Sequence, residues 1–228
     1  MNEFELKLSL PDEKFSALEK LVISKGGIRR QHLQAFYLDT DDFHLAEAGV
    51  ALRLRKEGRR WVQTLKASKN NSLERLEHNV FLTNVGSAIP KWNIDLHDGH
   101  PAHQVLIKVL EKAKLAASNL SVRYQTDIWR RPALVKVRGA LLEYALDTGF
   151  VKSYSRYGHE KTILISELEI ELKAGDDCAL VKHAEMLVKR YGLFIDTRSK
   201  AQRGFLAANG LDHAKVHPWR IHSKQSRT

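Results

Sequence analysis

The chain has 228 residues, 43% of them hydrophobic, with 37 Lys and Arg against 27 Asp and Glu, a net charge of +10. This composition supports a packed core and excludes wholesale disorder. The absence of any run of about 18 uncharged apolar residues excludes a transmembrane helix.

Cys178 is the single cysteine. It excludes an internal disulfide and a cysteine-rich zinc module and fits a reducing compartment; on its helix it reads as a buried or half-buried thiol. The opening Met1-Asn2-Glu3-Phe4-Glu5 lacks a basic stretch, so no secretory leader is expected and the expected location is cytoplasmic. Four of the ten excess positive charges (Lys215, Arg220, Lys224 and Arg227) fall in the last 16 residues, leaving +6 for residues 1–212. Residues 211–228 read as a flexible basic tail after a single domain over 1–210. The residual positive charge points to an anionic partner.

Residues 2–10 alternate polar and apolar, a period-two strand. Pro11-Asp12-Glu13 opens a helix carrying Phe15, Leu18, Leu21 and Val22, ended by Gly26-Gly27. Strands are expected at 33–38 and 50–56 around a helical turn at 42–48, then at 60–67 and 75–82. Residues 83–100 read as loop and 101–117 as an amphipathic helix. Further strands are expected at about 122–130, 133–138, 141–147 and 163–173, with turn signals at Gly139 and Gly149. Helices over 177–191 and 199–208 complete the chain. Eight or nine antiparallel strands at short spacing predict a closed or nearly closed sheet, because closure removes edges.

The polar faces of these strands carry the chemistry. They present Glu3, Glu5 and Lys7; Arg53 and Arg55; Thr64 and Lys66; Glu143 and Asp147; and Glu167, Glu169, Glu171 and Lys173. An ordinary sheet turns such faces to water. Here, however, like charges repeat on one face about 6.5–6.8 Å apart, which is unfavourable without compensation. A divalent cation would compensate the carboxylates. Arginine forks and lysine ammonium groups suit phosphate oxygens. Acids segregated from bases are what a metal–polyphosphate site needs.

These residues fall in ordered blocks: Glu3-Phe4-Glu5-Leu6-Lys7, Tyr37-Leu38-Asp39-Thr40, Gly49 to Arg55, Trp61 to Lys66, Thr126 to Arg130, Glu143 to Gly149, Glu167 to Lys173 and Ser199 to Gly204. Together they resemble the CYTH superfamily, the triphosphate tunnel metalloenzymes, and among them bacterial inorganic triphosphatase-like members. The resemblance implies an α+β fold: an eight-stranded antiparallel β-barrel forming a tunnel, with helices packed outside and the charged faces turned into the lumen. It implies metal-dependent hydrolysis of a short triphosphate, with Mg²⁺ or Mn²⁺ as cofactor. Inorganic triphosphate is the leading substrate; thiamine triphosphate hydrolysis and class IV-type adenylyl cyclase activity are the alternatives.

By the same resemblance, Glu3, Glu5, Glu169, Glu171 and Asp147 are the metal ligands, with Glu167 beside them. Lys7, Arg53, Arg55, Lys66, Arg130, Lys200 and Arg203 are the phosphate-binding set. Chemistry offers two routes to the nucleophile, a water activated by a second metal on the carboxylates or Lys7 or Lys66 as proton acceptor, and the sequence does not choose between them. Arg138, Glu77 and Glu143 are candidate lumen residues or structural ion pairs. The rival classes are a non-catalytic polyphosphate-binding protein and a nucleic-acid-binding module. The second leaves the paired glutamates unexplained, so no specific nucleic acid and no membrane is expected, and the assembly is a monomer or homodimer. His97, His100 and His103, three apart, read as a loop entering a helix in preference to a zinc site.

Overall fold

Period-two segments pair into one antiparallel sheet. The computed structural model describes residues 4–58, 60–68, 75–83, 89–155 and 157–211. Its strands are β1 (Glu5–Ser9), β2 (Gln31–Asp39), β3 (Val50–Glu57), β4 (Arg60–Ser68), β5 (Arg75–Leu82), β6 (Ser121–Val137), β7 (Ala140–Tyr154), β8 (Glu160–Gly175) and β9 (Phe194–Ile195). Their order in the sheet is β5-β4-β3-β2-β6-β7-β8-β1-β9. Among the described residues no ladder joins β5 to β9, so the α+β sheet has nine strands and is not closed by hydrogen bonds. It nonetheless curls enough for β1 to β4 and β6 to β8 to line one cavity. Glu3 and the tail cations Lys215, Arg220, Lys224 and Arg227 lie outside the described residues.

The helices are α1 (Phe15–Ser24), α2 (His44–Glu47), α3 (Pro101–Ala113), α4 (Asp177–Tyr191) and α5 (Lys200–Ala208). Two apolar clusters cover the outer face of the sheet. Leu18 and Val22 of α1 and Leu180, Ala184 and Leu187 of α4 pack on Leu8, Leu142, Tyr144, Leu146, Leu168 and Ile170. Leu106 and Leu110 of α3 pack on Leu38, Leu52, Leu54, Trp61 and Leu65. Each such fully buried leucine contributes roughly 1.5–3 kcal/mol. Apolar and charged residues alternate along these strands, so burying one set outside turns the other inward. Helix α5 departs from the expected arrangement. Its Ala201, Phe205 and Ala208 pack against Ala35, Tyr37, Phe43 and Tyr124, so it lines the cavity itself.

Two expected breaks are absent. Pro132 continues β6, opposite Ala145. Pairing with β2 ends at Arg130, and the Pro132 carbonyl accepts from Ile28 N on that free side. Its missing N–H therefore falls where no strand needs it. Gly149 lies inside β7 at φ 150°, and a Cβ there would stand 1.9 Å from the Asp127 carbonyl oxygen; the glycine marks close strand approach, not a turn. The two-residue β9 had no sequence signal. Cys178 is exposed, in the first turn of α4 beside Asp176 and Asp177, where the apolar face of the helix does not reach it.

Candidate functional site

Register builds the acidic wall in three rows. Glu5, Glu171 and Glu143 stand side by side on β1, β8 and β7. Lys7, Glu169 and Ala145 form the next row, and Ser9, Glu167, Asp147 and Arg130 the third, extending onto β6. Alternation sends all of these to one face. In the first row Glu5 pairs with Lys7, while Lys173 approaches Glu171 at 2.8 Å and Glu143 at 3.4 Å.

Asp147 and Glu167 of the third row, both buried, form a carboxylate trio with the half-buried Glu169. Oxygens of Asp147, Glu167 and Glu169 lie within 4.8 Å of one another. Arg130 holds Asp147 through both fork nitrogens, Nε to Oδ1 at 2.8 Å and Nη2 to Oδ2 at 2.7 Å, and also reaches Glu169. Lys200 Nζ contacts Asp147 Oδ2 at 2.8 Å and Glu169 Oε1 at 2.9 Å, and contacts Glu167 as well. Arg203 pairs with Glu167 at 2.6 Å from behind, with Asp196 at 3.1 Å on its other side. Burial works against the Glu169 charge, but Lys200 and Arg130 outweigh it and hold the carboxyl at a pKa of about 2. For Lys200, burial is likewise outweighed by the carboxylates, which raise its pKa. A close-set, all-oxygen donor set of this kind fits a hard divalent cation such as Mg²⁺ or Mn²⁺.

Helix α5 is aimed at the trio by its start. Ser199 and Gln202 form a reciprocal capping box, at 3.1 Å and 2.8 Å. Asp196 N donates to the Lys7 carbonyl at 2.9 Å, tying the preceding link to β1. Gly204 then lies on Tyr124, where a Cβ would stand 2.7 Å from the ring.

The basic wall comes from β3 and β4. Arg53, Arg55, Thr64 and Lys66 line the cavity. Arg53 Nη2 donates to Thr64 Oγ1 at 3.3 Å, Thr64 Oγ1 to Asn79 Oδ1 at 2.7 Å, and Asn79 Nδ2 to Glu77 Oε1 at 3.0 Å. Glu77 meets Lys66 at 2.6 Å; burial raises its pKa, but Lys66 and then Asn79 more than offset this and lower it. Arg55 pairs with Glu57. Burial, followed by the neighbouring charge of Arg53, lowers the Arg55 pKa. The Nε groups of both arginines are buried without a hydrogen-bond partner, as are those of Arg123, Arg131 and Arg203 outside the cavity. Asp39 supports this wall from below. Buried, it accepts from the backbone N–H groups of Thr40, Leu45 and Ala46 and so fixes the turn into β3.

Both walls face one cavity of about 330 Å³, lined by Glu5, Lys7, Arg53, Arg55, Lys66, Arg130, Glu143, Asp147, Glu169, Glu171 and Lys200. Tyr37 and Tyr124, stacked with centroids 4.7 Å apart, and Phe205 form an aromatic stretch of its lining. Arg203 lies outside this lining, beside Arg198 in a separate small pocket. Arg138 sits in the exposed turn between β6 and β7. Asn79 and Tyr124 had no signal beyond ordinary strand residues, and their roles follow from register.

The histidines form a separate unit under α3. The Gln63 amide is fixed by Asn93 at both ends, Nε2 donating to the carbonyl at 2.7 Å and Oε1 accepting from the N–H at 3.0 Å. Gln63 Nε2 also faces His97 Nε2 at 3.0 Å, so that nitrogen must accept. His97 Nδ1 then carries the proton and donates to His78 Nδ1 at 3.0 Å. His100 caps α3 by accepting from Ala102 N. His97 ends a 3-10 turn over Ile94–His97, His100 is the N-cap of α3 and His103 lies in its first turn; both His97 ring nitrogens are engaged in hydrogen bonds.

Relatives share this chain's fold. Over 209 residues it is 27% identical to the inorganic triphosphatase of Haemophilus influenzae, covering 90% of this chain and 55% of the relative. The chain thus spans about half the length of that protein. The solved structure of a candidate adenylyl cyclase from Hippeastrum, a protein with a dominant triphosphatase activity, superposes with a TM-score of 0.57 at 17% identity, covering 90% of this chain and 96% of the other. A candidate adenylate cyclase of Bacillus halodurans gives 0.54 at 23% identity, covering 90% and 100%. The CYTH domain model matches residues 1–205, and with its register-built acidic and basic walls around one cavity, the chain belongs to the CYTH family.

Proposed function

We propose that this chain hydrolyses a short linear triphosphate, inorganic triphosphate foremost, with Mg²⁺ or Mn²⁺ as cofactor. The observation that carries this is the pairing of two walls across one small cavity: Arg53, Arg55 and Lys66 opposite clustered carboxylates. Triphosphate carries about four negative charges near neutral pH, which must be neutralised before a nucleophile approaches. Arg53, Arg55, Lys66 and Lys200 are the chain's phosphate-binding groups, and Arg130 orients Asp147 and Glu169. Glu5, Glu169, Glu171, Asp147 and Glu167 are the carboxylates available to the metal, which when bound would neutralise phosphoryl charge and acidify a water. Lys7 and Lys66 line the cavity as candidate proton acceptors. A cavity of about 330 Å³ admits a triphosphate and excludes a nucleic-acid duplex. The triphosphatase relative from Haemophilus influenzae supports the same reading.

The test is to incubate purified protein with triphosphate, thiamine triphosphate and ATP, each with Mg²⁺ and with Mn²⁺. Phosphate release and cyclic AMP are measured. Fastest phosphate release from inorganic triphosphate is expected; no metal-dependent release from any of the three overturns the proposal.

A further inference from the structure

The Lys200 ammonium occupies a place that only one cation can hold. Its Nζ lies 2.8 Å from Asp147 Oδ2 and 2.9 Å from Glu169 Oε1, and it also touches Glu167. Those three carboxylates are the set whose oxygens fall within 4.8 Å of one another. A hard divalent ion needs such oxygens at about 2.0–2.6 Å, so it would overlap the ammonium. Arg130 and Arg203 grip the trio from its sides. Lys200 alone contacts all three members.

We propose that Lys200 is the resident counter-ion of the Asp147–Glu167–Glu169 trio, and that it exchanges with the divalent cation, moving to a phosphate of the incoming triphosphate. This rests on the proposed function and deepens it, because it makes metal and substrate binding mutually supportive. Metal alone must evict an ammonium that has no new partner. Metal arriving with triphosphate gives that ammonium phosphate oxygens within the cavity it already lines. The backbone need not move for this. The Ser199–Gln202 capping box and the Asp196 link hold the start of α5, while the lysine stem supplies the reach. With Lys200 in place, three carboxylates face three cationic side chains, so each charge of the trio has an opposite neighbour.

The test is calorimetric titration of Mg²⁺ into the metal-free full chain and into Lys200→Met, without substrate. Loss of the competing ammonium should tighten Mg²⁺ binding by roughly tenfold or more, since several charge-assisted contacts no longer oppose it. Equal or weaker binding in a folded variant overturns the proposal. Should Lys200→Met fail to fold, the unsubstituted protein decides. The side-chain ammonium resonance of Lys200 should shift and gain solvent exchange as Mg²⁺ and triphosphate are added together. A resonance unmoved at saturation overturns the proposal. Triphosphate hydrolysis by the unsubstituted chain is measured in parallel: absent hydrolysis with intact exchange defeats the functional reading alone, and hydrolysis with an unmoved Lys200 defeats this inference alone.

Discussion

Arg130 and Asp147 face each other across the β6–β7 ladder, joined by two parallel hydrogen bonds of 2.8 and 2.7 Å. Asp147 is fully buried, so removing its partner strands a charge. Arg130→Met should cost about 3 kcal/mol, toward the low end for a broken buried pair because Lys200 remains. Arg130→Lys should recover only part, having lost the fork. Urea unfolding of the three proteins measures this; a loss below about 0.5 kcal/mol in Arg130→Met would place the pair among solvent-screened ones.

Gly204 sets the seat of α5. A methyl at this position would meet Tyr124 Cδ2 and Cγ at 2.7 Å, and Tyr124 is buried beneath it. Gly204→Ala should destabilise by about 1–3 kcal/mol through overpacking. Because the displaced helix carries Lys200, triphosphate turnover should fall further than stability explains. Melting temperature and turnover measured together check both halves.

The Gln63–His97–His78 chain makes stability pH-dependent. Burial first, then His78, His103 and His100, lower the His97 pKa from 6.5 to about 4. Its folded state thus resists protonation, and the unfolded chain binds more protons between those values. The contribution is full above pH 6.5 and lost as pH falls toward 4, in total about 3 kcal/mol. His97→Asn keeps a neutral donor toward His78 and cannot titrate. Urea midpoints between pH 7.5 and 4.5 should therefore fall less steeply in the variant than in the unsubstituted chain. Parallel slopes would show that His97 titrates normally.

The strand faces were legible because two-residue alternation is local: Glu167, Glu169 and Glu171 must share a side whatever they pair with. The partners of those faces were not legible. That Asp147 and Glu167 join Glu169 in the trio, while Glu5 and Glu171 stand with Glu143, follows from register between distant strands. The expected gap between 130 and 133 and the expected turn at Gly149 are absent because propensity does not show which edge of a strand is free or how closely two backbones approach. Arg203 follows Lys200 by one turn of α5 and takes the other oxygen of Glu167, but it does so beside Asp196 and outside the cavity, a placement that strand patterning does not reveal. His78 lies on β5, far in sequence from the spaced histidines it joins.

The central claim is that the basic and acidic walls act on one triphosphate, and Arg55 tests it most directly. It lines the cavity with its Nε buried and unpartnered, and it lies outside the carboxylate trio. In steady-state triphosphate hydrolysis with saturating Mg²⁺, Arg55→Ala should lower kcat/KM by about 10²-fold or more, with Arg55→Lys restoring part of the loss. Unchanged kcat/KM in a folded Arg55→Ala would contradict the account, because the basic wall would then take no part in the chemistry.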